Sequence, residues 1–280
     1  MRVHLCGVRG STPSPGLDFI EVGGHTSCVA VAHDGREPGL ALDAGTGLRR
    51  LTEVLGGSPF IGTIVLTHLH WDHITGLPFF AAGDRPDARV RVLVPEQGLN
   101  AHDVIGRAMS PPLFPIGPDQ LRGEWTFETY DEGTYELEGF TVTVREIPHS
   151  AGRTMGVRVE DPTASMAYLP DHSPQTAGPG DHGVGELHDA AMTLAVGTDL
   201  LLHDAQYTHS ELPTKFTWGH SAADYTAYLA RAAGAVRPML FHHDPWRTDQ
   251  EVVAIRDEVV EQTGIEVEIA RQGMAIDLPA

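Results

Sequence analysis

The sequence predicts an α/β fold in which two mixed β-sheets pack face to face and helices cover their outer faces. Short apolar segments bounded by glycine-rich turns run through the first and middle parts of the chain, which is typical of strands. Segments with apolar residues at helical spacing occur towards both ends and alternate with strands in the last third. Strands bracketed by helices favour a layered sandwich. A chain of 280 residues can bury one large core, so we expect a single domain over residues 1–280.

The predicted elements follow one another without a low-complexity linker. Leu48, Leu51 and Leu55 have helical spacing, and Gly56 ends that helix. The apolar segment at 61–66 is predicted to be a buried strand, and a short helix is expected in HITGLPFFAA after it. The other predicted strands are VHLCGV, CVAVAH, GLALDAG, RVRVLV, WTFETY, GTYELEG, FTVTVREI, MGVRVE and SMAYL. In the last third, the helices GELHDAAMTLA, SAADYTAYLARAAG and TDQEVVAIRDEVVEQTG alternate with the strands TDLLLHD, RPMLF and EVEIA.

Residues 82–125 form the least regular part of the sequence. The segment MSPPLFPIGPDQ is too rich in proline for the interior of a helix or strand, so it is predicted to be a loop. We expect this region to act as a lid that selects the substrate.

Composition excludes several classes of protein. The net charge of -19 argues against a large nucleic-acid interface, because phosphate backbones are bound mainly by Lys and Arg. No window approaches eighteen uninterrupted apolar residues and no secretion signal is recognised, so we expect a soluble cytoplasmic protein that binds no membrane. Cys6 and Cys28 are too few for a disulfide framework. The sixteen histidines point instead to metal binding.

A cluster of metal-binding residue types follows the strand at 61–66. The segment THLHWDH places His68 and His70 two residues apart, so both point the same way on an extended chain. A turn then brings Asp72 and His73 to the same space. Imidazole and carboxylate suit zinc, manganese or iron(II). Four such residues are too many for one open site and too few for two, so the motif predicts two ions and further ligands downstream.

Further candidate ligands follow other predicted strands. His149 ends VREIPHS, Asp171 follows MAYLP, and His242 and His243 end PMLFHH. Functional residues are often carried by loops at strand ends. A carboxylate such as Asp171 can bridge two cations with its two oxygens.

Together these motifs resemble the metallo-β-lactamase fold superfamily of metal-dependent hydrolases, over nearly the whole chain. The resemblance implies a four-layered αβ/βα sandwich that binds two divalent ions, with zinc preferred and manganese, iron or nickel as alternatives. It implies that one ion is held by His68, His70 and His149, that the other is held by Asp72, His73 and His242, and that Asp171 bridges them. It favours His242 over His243 as the last ligand, although the sequence leaves that choice open.

Further stretches resemble the phosphodiesterase and ribonuclease Z-like branch of the superfamily: GVRGSTPSPG, GGHTSC, LDAGTG, LLHDAQYT, WGHSAADY and LFHHDP. The resemblance assigns His220 as a proton donor and Asp204 as the acid that orients it, and we expect Asp43 to support the metal site. His220 has a structural alternative as a residue at a helix start, beside Ser221 as the N-cap. Asp204 could likewise only close a strand.

The remaining histidines receive no role in the site. A turn position is favoured for His25, with an extra ligand as the alternative. Four others are expected to be exposed to solvent: His102, His182, His188 and His209.

The function implied by the resemblance is a phosphodiesterase that cleaves a small phosphodiester, such as a cyclic nucleotide. Two divalent cations sharing a water lower its pKa and supply the attacking hydroxide, while a general acid protonates a poor leaving group. The alternative is a carboxyl-centred hydrolase, either a lactonase or a thioesterase. Less favoured are a tRNA 3′-processing endonuclease and a non-catalytic metal-binding scaffold. Only 22 residues separate His149 from Asp171, which leaves no room there for a tRNA-clamping arm. An apolar surface helix in the last third would allow a homodimer.

Overall fold

The computed structural model describes residues 1–150 and 152–279. It contains two seven-stranded sheets. The strands of the first sheet are β1 (Arg2–Gly7), β2 (Cys28–Ala32), β3 (Leu40–Leu42), β4 (Ile61–Val65), β5 (Arg89–Pro95), β6 (Glu124–Tyr130) and β14 (Ala275–Asp277). Those of the second sheet are β7 (Gly133–Leu137), β8 (Phe140–Ile147), β9 (Thr154–Glu160), β10 (Ser165–Leu169), β11 (Leu200–Asp204), β12 (Pro238–Phe241) and β13 (Glu268–Ile269).

In the described residues, seven α-helices connect and cover the strands. They are α1 (Leu48–Val54), α2 (Trp71–Ile74), α3 (Ala101–Ala108), α4 (Asp189–Ala195), α5 (Leu212–Lys215), α6 (Ala223–Ala233) and α7 (Asp249–Thr263). Short 3₁₀ turns lie at Leu17–Phe19, Leu77–Phe79, Pro118–Gln120, Pro174–Ala177 and Phe216–Trp218. Within the described ranges, no helix is long and apolar enough to cross a lipid bilayer.

Both sheets are mixed in the same way. The first has the order β14-β1-β2-β3-β4-β5-β6, with antiparallel pairs from β14 to β3 and parallel pairs from β3 to β6. The second has the order β13-β12-β11-β10-β9-β8-β7, parallel from β13 to β10 and antiparallel from there to β7. The strands β8, β10, β11 and β12 therefore all run in one direction, and their carboxyl ends meet at one edge.

The core lies between the two sheets, because inward-facing apolar side chains alternate along the strands. In β8, Phe140, Val142 and Val144 are buried and face the same core cluster as Val29 and Val31 of β2. Each sheet packs its outer face on helices. Residues of α1 and α3 cover the first sheet, and residues of α4 and α6 cover the second. The predicted fold class, two mixed sheets flanked by helices in four layers, is confirmed.

Helices α3 and α5 and strand β14 were not predicted. Helix α3 lies within the segment expected to be irregular, and its N-cap Asn100 accepts hydrogen bonds from the backbone N–H groups of His102 and Asp103. This local cap satisfies backbone donors that would otherwise be unpaired. Strand β14 is only three residues long and forms through its antiparallel pairing with β1. The short helix expected at 73–82 differs in its bounds, because α2 begins within the histidine cluster and ends at Ile74, and a separate 3₁₀ turn follows at Leu77–Phe79.

Candidate metal centre

The seven predicted ligand side chains lie together at the carboxyl ends of the strands. They form two sets that share Asp171, and within each set the ligand atoms all lie within 4.8 Å of one another. We call His68, His70 and His149 the first donor group, and Asp72, His73 and His242 the second donor group. The structure thus brings together residues that are up to 174 positions apart in the sequence.

Asp171 stands between the two groups and turns one carboxylate oxygen towards each. Its Oδ2 lies 3.6 Å from His68 Nε2 and 3.4 Å from His149 Nε2. Its Oδ1 lies 3.0 Å from His73 Nε2 and 3.2 Å from His242 Nε2. This is the arrangement that a bridging carboxylate requires.

Several buried polar atoms in the cluster make no hydrogen bond. They are His68 Nε2, His73 Nε2 and Asp171 Oδ1. Buried polar side-chain atoms nearly always have a partner, so three orphans in one cluster need an explanation. His73 Nε2 and Asp171 Oδ1 are 3.0 Å apart, yet neither atom has a hydrogen-bond partner. Neutral imidazole and carboxylate are suitable donors for divalent ions such as zinc, so the residues fit the metals that the fold implies.

The second donor group is anchored by buried hydrogen bonds. His73 Nδ1 donates to Asp43 Oδ2 at 2.7 Å, and the Asp43 carboxylate also accepts from Thr67 and from the Tyr168 hydroxyl. His242 Nδ1 donates to the side-chain oxygen of Gln206 at 3.0 Å. Such bonds fix the tautomer and direct each Nε2 into the site. Asp43 therefore has the supporting position expected for it.

The first donor group is held more loosely. His149 Nδ1 donates to the backbone carbonyl of Gly219 at 2.5 Å, and His68 Nδ1 donates to the Thr67 hydroxyl at 3.2 Å. His70 is only half-buried, and its Nδ1 lies 3.2 Å from His149 Nε2. This group is therefore the more open side of the centre.

Electrostatics favour metal binding. Burial lowers the pKa of His68 and of His149, so these rings are neutral and can donate a lone pair. Burial alone would raise the pKa of Asp171, but His242 and His73 outweigh it and hold that pKa well below its usual range. Asp72 shows the same balance, with His73 beside it. The centre therefore combines neutral imidazoles at His68 and His149 with two ionised carboxylates, whereas burial is outweighed at His73 by Asp171 and Asp72, which raise the pKa of that ring.

His220 and Asp204 form a pair beside the second donor group. His220 Nδ1 donates to Asp204 Oδ2 at 2.9 Å, and the His220 ring stacks on that of His242 at a centroid distance of 5.0 Å. The backbone N–H groups of His172 and Gln206 donate to the same carboxylate, which fixes its position. Burial lowers the pKa of His220, but the Asp204 carboxylate outweighs burial and the pKa is raised. A ring that is protonated near neutral pH can act as a proton donor.

The expectation that Ser221 caps the helix after His220 was wrong. Helix α6 begins at Ala223 with Ala222 at the N-cap position, and the Ser221 hydroxyl donates to the backbone carbonyl of His172. The Ser221 side chain therefore joins its own loop to the segment that carries Asp171, and it is not available to cap helix α6.

The structure separates the other histidines from the centre. His243 donates from Nε2 to the Ala270 carbonyl at 3.0 Å, and burial lowers its pKa to about 3, so it is a neutral structural residue. His25 is half-buried with Nδ1 3.1 Å from the Thr46 hydroxyl, outside both donor groups. His182 and His209 are exposed as expected, whereas His102 and His188 are half-buried. His102 Nε2 is within hydrogen-bond distance of Asp119 Oδ1, at 2.8 Å.

Sequence reasoning missed His172. This buried ring donates from Nδ1 to His203 Nε2 at 2.9 Å, and His203 in turn donates to the Asp204 backbone carbonyl. The pair lies behind Asp171 and Asp204 and links the loops that carry them. Its only sequence signal is the position of His172 directly after Asp171.

Comparison with known proteins agrees with the geometry. Residues 40–243 match the family described as the beta-lactamase superfamily domain. The chain belongs to this superfamily. A relative named ribonuclease Z, from Salinibacter ruber, is 26% identical over 260 residues, covering 78% of this chain and 79% of the relative. The residues matched by the family, 40–243, include both donor groups.

Solved structures share the fold over the full length. The metallo-beta-lactamase fold protein YhfI from Bacillus subtilis has a TM-score of 0.74 at 17% identity and covers 99% of both chains. A diphosphatase from the PhnP family has a TM-score of 0.71 at 20% identity, covering 99% of this chain and 97% of its own. These likenesses confirm the metallo-β-lactamase fold, and the superfamily makes this chain a hydrolase of the metal-dependent type.

Proposed function

We propose that the protein is a dinuclear metal-dependent phosphodiesterase that cleaves a small phosphodiester, with a cyclic nucleotide as one candidate substrate. The observation that carries the proposal is the position of Asp171, whose two oxygens face two separate donor groups. A mononuclear site would not need a carboxylate directed to both sides. The two donor groups would each hold one ion, and Asp171 would bridge them.

When bound, two divalent cations would supply hydroxide near neutral pH and offset the charge that develops on the phosphoryl oxygens. The chain supplies the proton for the leaving group. His220 is held at Nδ1 by Asp204, so its other ring nitrogen, Nε2, is the atom that would donate. Asp204 is a positioning residue, since it acts through His220. Burial alone would lower the pKa of His220, but the Asp204 carboxylate raises it, which favours the charged form of the ring that would donate a proton to an alkoxide leaving group.

A tRNA 3′-processing activity is the second candidate, because the relative from Salinibacter ruber is named ribonuclease Z. Two features disfavour it. Most of the sequence between His149 and Asp171 forms the strands β9 and β10, which are joined by only the four residues 161–164. Among the described residues of this stretch, none forms an arm that could hold a tRNA. The net charge of -19 opposes binding to a polyanion.

The test is hydrolysis of bis-p-nitrophenyl phosphate by protein reconstituted with zinc or manganese, with metal content assayed in the same sample. A lactone, a thioester and a tRNA precursor with a 3′ trailer are assayed in parallel. Turnover of the phosphodiester alone, with two ions per chain, is the expected result. Turnover of only the lactone or thioester would make the protein a carboxyl-centred hydrolase and reject the proposal, and efficient processing of the precursor would favour the second candidate.

A further inference from the structure

An apolar cavity of about 350 Å³ lies beside the candidate metal centre. One wall is α2 with the 3₁₀ turn after it, and the other is α3 with the loop that follows it. Apolar side chains make up most of the lining, among them Trp71, Leu77, Phe79, Met109, Leu113 and Phe114. The structure therefore shows that the region expected to act as a lid builds one wall of this cavity.

Several large apolar side chains that line the cavity are exposed to solvent. Trp71 and Leu113 are each 77% exposed and Phe79 is 59% exposed. Phe79 also packs edge-to-face against Phe114, with ring centroids 5.7 Å apart, so the two walls meet in an aromatic contact. A concave, mostly apolar surface of this kind is typical of a ligand site.

One charged side chain lines the cavity. Arg107, near the end of α3, is exposed and makes no ion pair with any residue in the part of the chain that the structure describes. The nearby Arg122 differs, since it is paired with Asp84 at 2.7 Å. In a protein with a net charge of -19, a free guanidinium beside an apolar cavity complements a ligand that is both apolar and anionic.

Helix α2 connects the cavity to the metal centre. Asp72 and His73 on this helix belong to the second donor group, whereas Trp71 and Ile74 line the cavity. An α-helix with its side chains is about 10 Å across, so one helix width separates the two sites. A single extended molecule can reach both, passing the start of α2 where the exposed indole of Trp71 follows His70.

We propose that this cavity binds an extended apolar substituent, alkyl or aryl, of the anionic diester that is cleaved at the metal centre. The inference rests on the proposed phosphodiesterase function and names its substrate class. The phosphate lies at the donor groups, and the substituent that does not leave lies in the cavity. The positive charge of Arg107 attracts the anionic diester as a whole. A diester with only short substituents leaves the cavity empty.

The test uses three p-nitrophenyl phosphodiesters with the same leaving group and a methyl, octyl or phenyl second substituent. For the zinc-reconstituted protein, kcat/KM is expected to be at least ~10-fold higher for octyl or phenyl than for methyl, through a lower KM, because only the longer substituents bury apolar surface. Preference for octyl indicates a lipid-like substrate, and preference for phenyl indicates a base-like one. Equal kcat/KM values for all three diesters would overturn the proposal.

Variants of the cavity test whether the preference for longer substituents arises there. Leu113→Asp and Phe79→Ala change exposed side chains and should reduce the octyl-to-methyl ratio towards one. Val236→Asp is the matched control, since Val236 is 75% exposed before β12, at the opposite end of that strand from the site, and this variant should keep the wild-type ratio. An unchanged ratio in both cavity variants would place the substituent elsewhere and reject the cavity.

Calorimetric titration with dioctyl phosphate and diphenyl phosphate separates this inference from the proposed function. If no diester is hydrolysed but one of these ligands binds wild-type protein and binds Leu113→Asp at least ~10-fold more weakly, the phosphodiesterase proposal fails and the cavity remains a site for an anionic apolar ligand. Binding that is equal in both proteins, or absent from both, counts against the cavity itself.

Discussion

The two donor groups consist of similar side chains, but the protein fixes the second group more firmly than the first. In the second group, His73 and His242 are completely buried and each is anchored by a side-chain acceptor, Asp43 or Gln206. In the first group, His70 is half-buried and His149 depends on the backbone carbonyl of Gly219. Hydrogen-bonded partners of this kind orient a ligand and increase metal affinity. The comparison suggests that the second group is preorganised, whereas the first is the side that opens to solvent and substrate.

A substitution of Asp171, the residue that both donor groups share, should have the largest effect on metal binding and turnover. Asp171→Asn keeps the size of the side chain but loses the charge that two cations would share. We expect loss of both ions and a fall in phosphodiester turnover greater than the ~10²-fold that loss of an orienting partner can cause. Metal content per chain and kcat measured on the same sample provide the check. If the Asp171→Asn variant still bound two ions, Asp171 would not be the bridging ligand.

His220 sharpens the comparison, because it touches the second group without belonging to either. His220→Ala should retain both ions and slow the cleavage of diesters with alkoxide leaving groups by ~10²-fold or more. Nitrophenyl diesters, whose leaving group needs no proton, should be affected much less. Parallel kcat measurements on the two kinds of substrate make the test. Equal losses on both would reject the proton-donor role.

A substitution of Asp43 should reduce the difference in anchoring between the two donor groups. Asp43→Asn breaks the charged hydrogen bond to His73 and leaves the seven donor side chains in place. Affinity for the ion of the second group should fall by ~10–100-fold, with a smaller loss at the first group, which Asp43 reaches only through the Thr67 hydroxyl. Competitive titration with a zinc indicator measures both affinities. Asp34→Asn, at an exposed carboxylate, is the control and should change neither.

Sequence patterns predicted the parts of this protein that are set locally. Alternation and helical spacing located most strands and helices, and the histidines and aspartates at strand ends gave the donor set, because short segments of sequence carry that information. The anchors could not be predicted in the same way. Gly219 lies 70 residues from the His149 that it holds, and His172 meets His203 only through the parallel pairing of β10 and β11. The cavity was also missed, because it depends on how α3 and the loop after it are placed relative to α2 and the turn after it.

The rate of metal loss is the subtlest expected difference, and it tests the comparison directly. With excess chelator, the zinc-loaded protein should release its ions in two phases of similar amplitude, the faster by about tenfold, since outer hydrogen bonds change metal affinity on that scale. The faster phase should belong to the first donor group, because His70 can leave the ion without breaking a buried hydrogen bond. His70→Ala should then abolish the fast phase and spare the slow one, whereas Asp43→Asn should bring the two rates together. Release in one phase from the wild type would mean that the bridge through Asp171 couples the ions so tightly that the anchoring of the separate groups no longer matters.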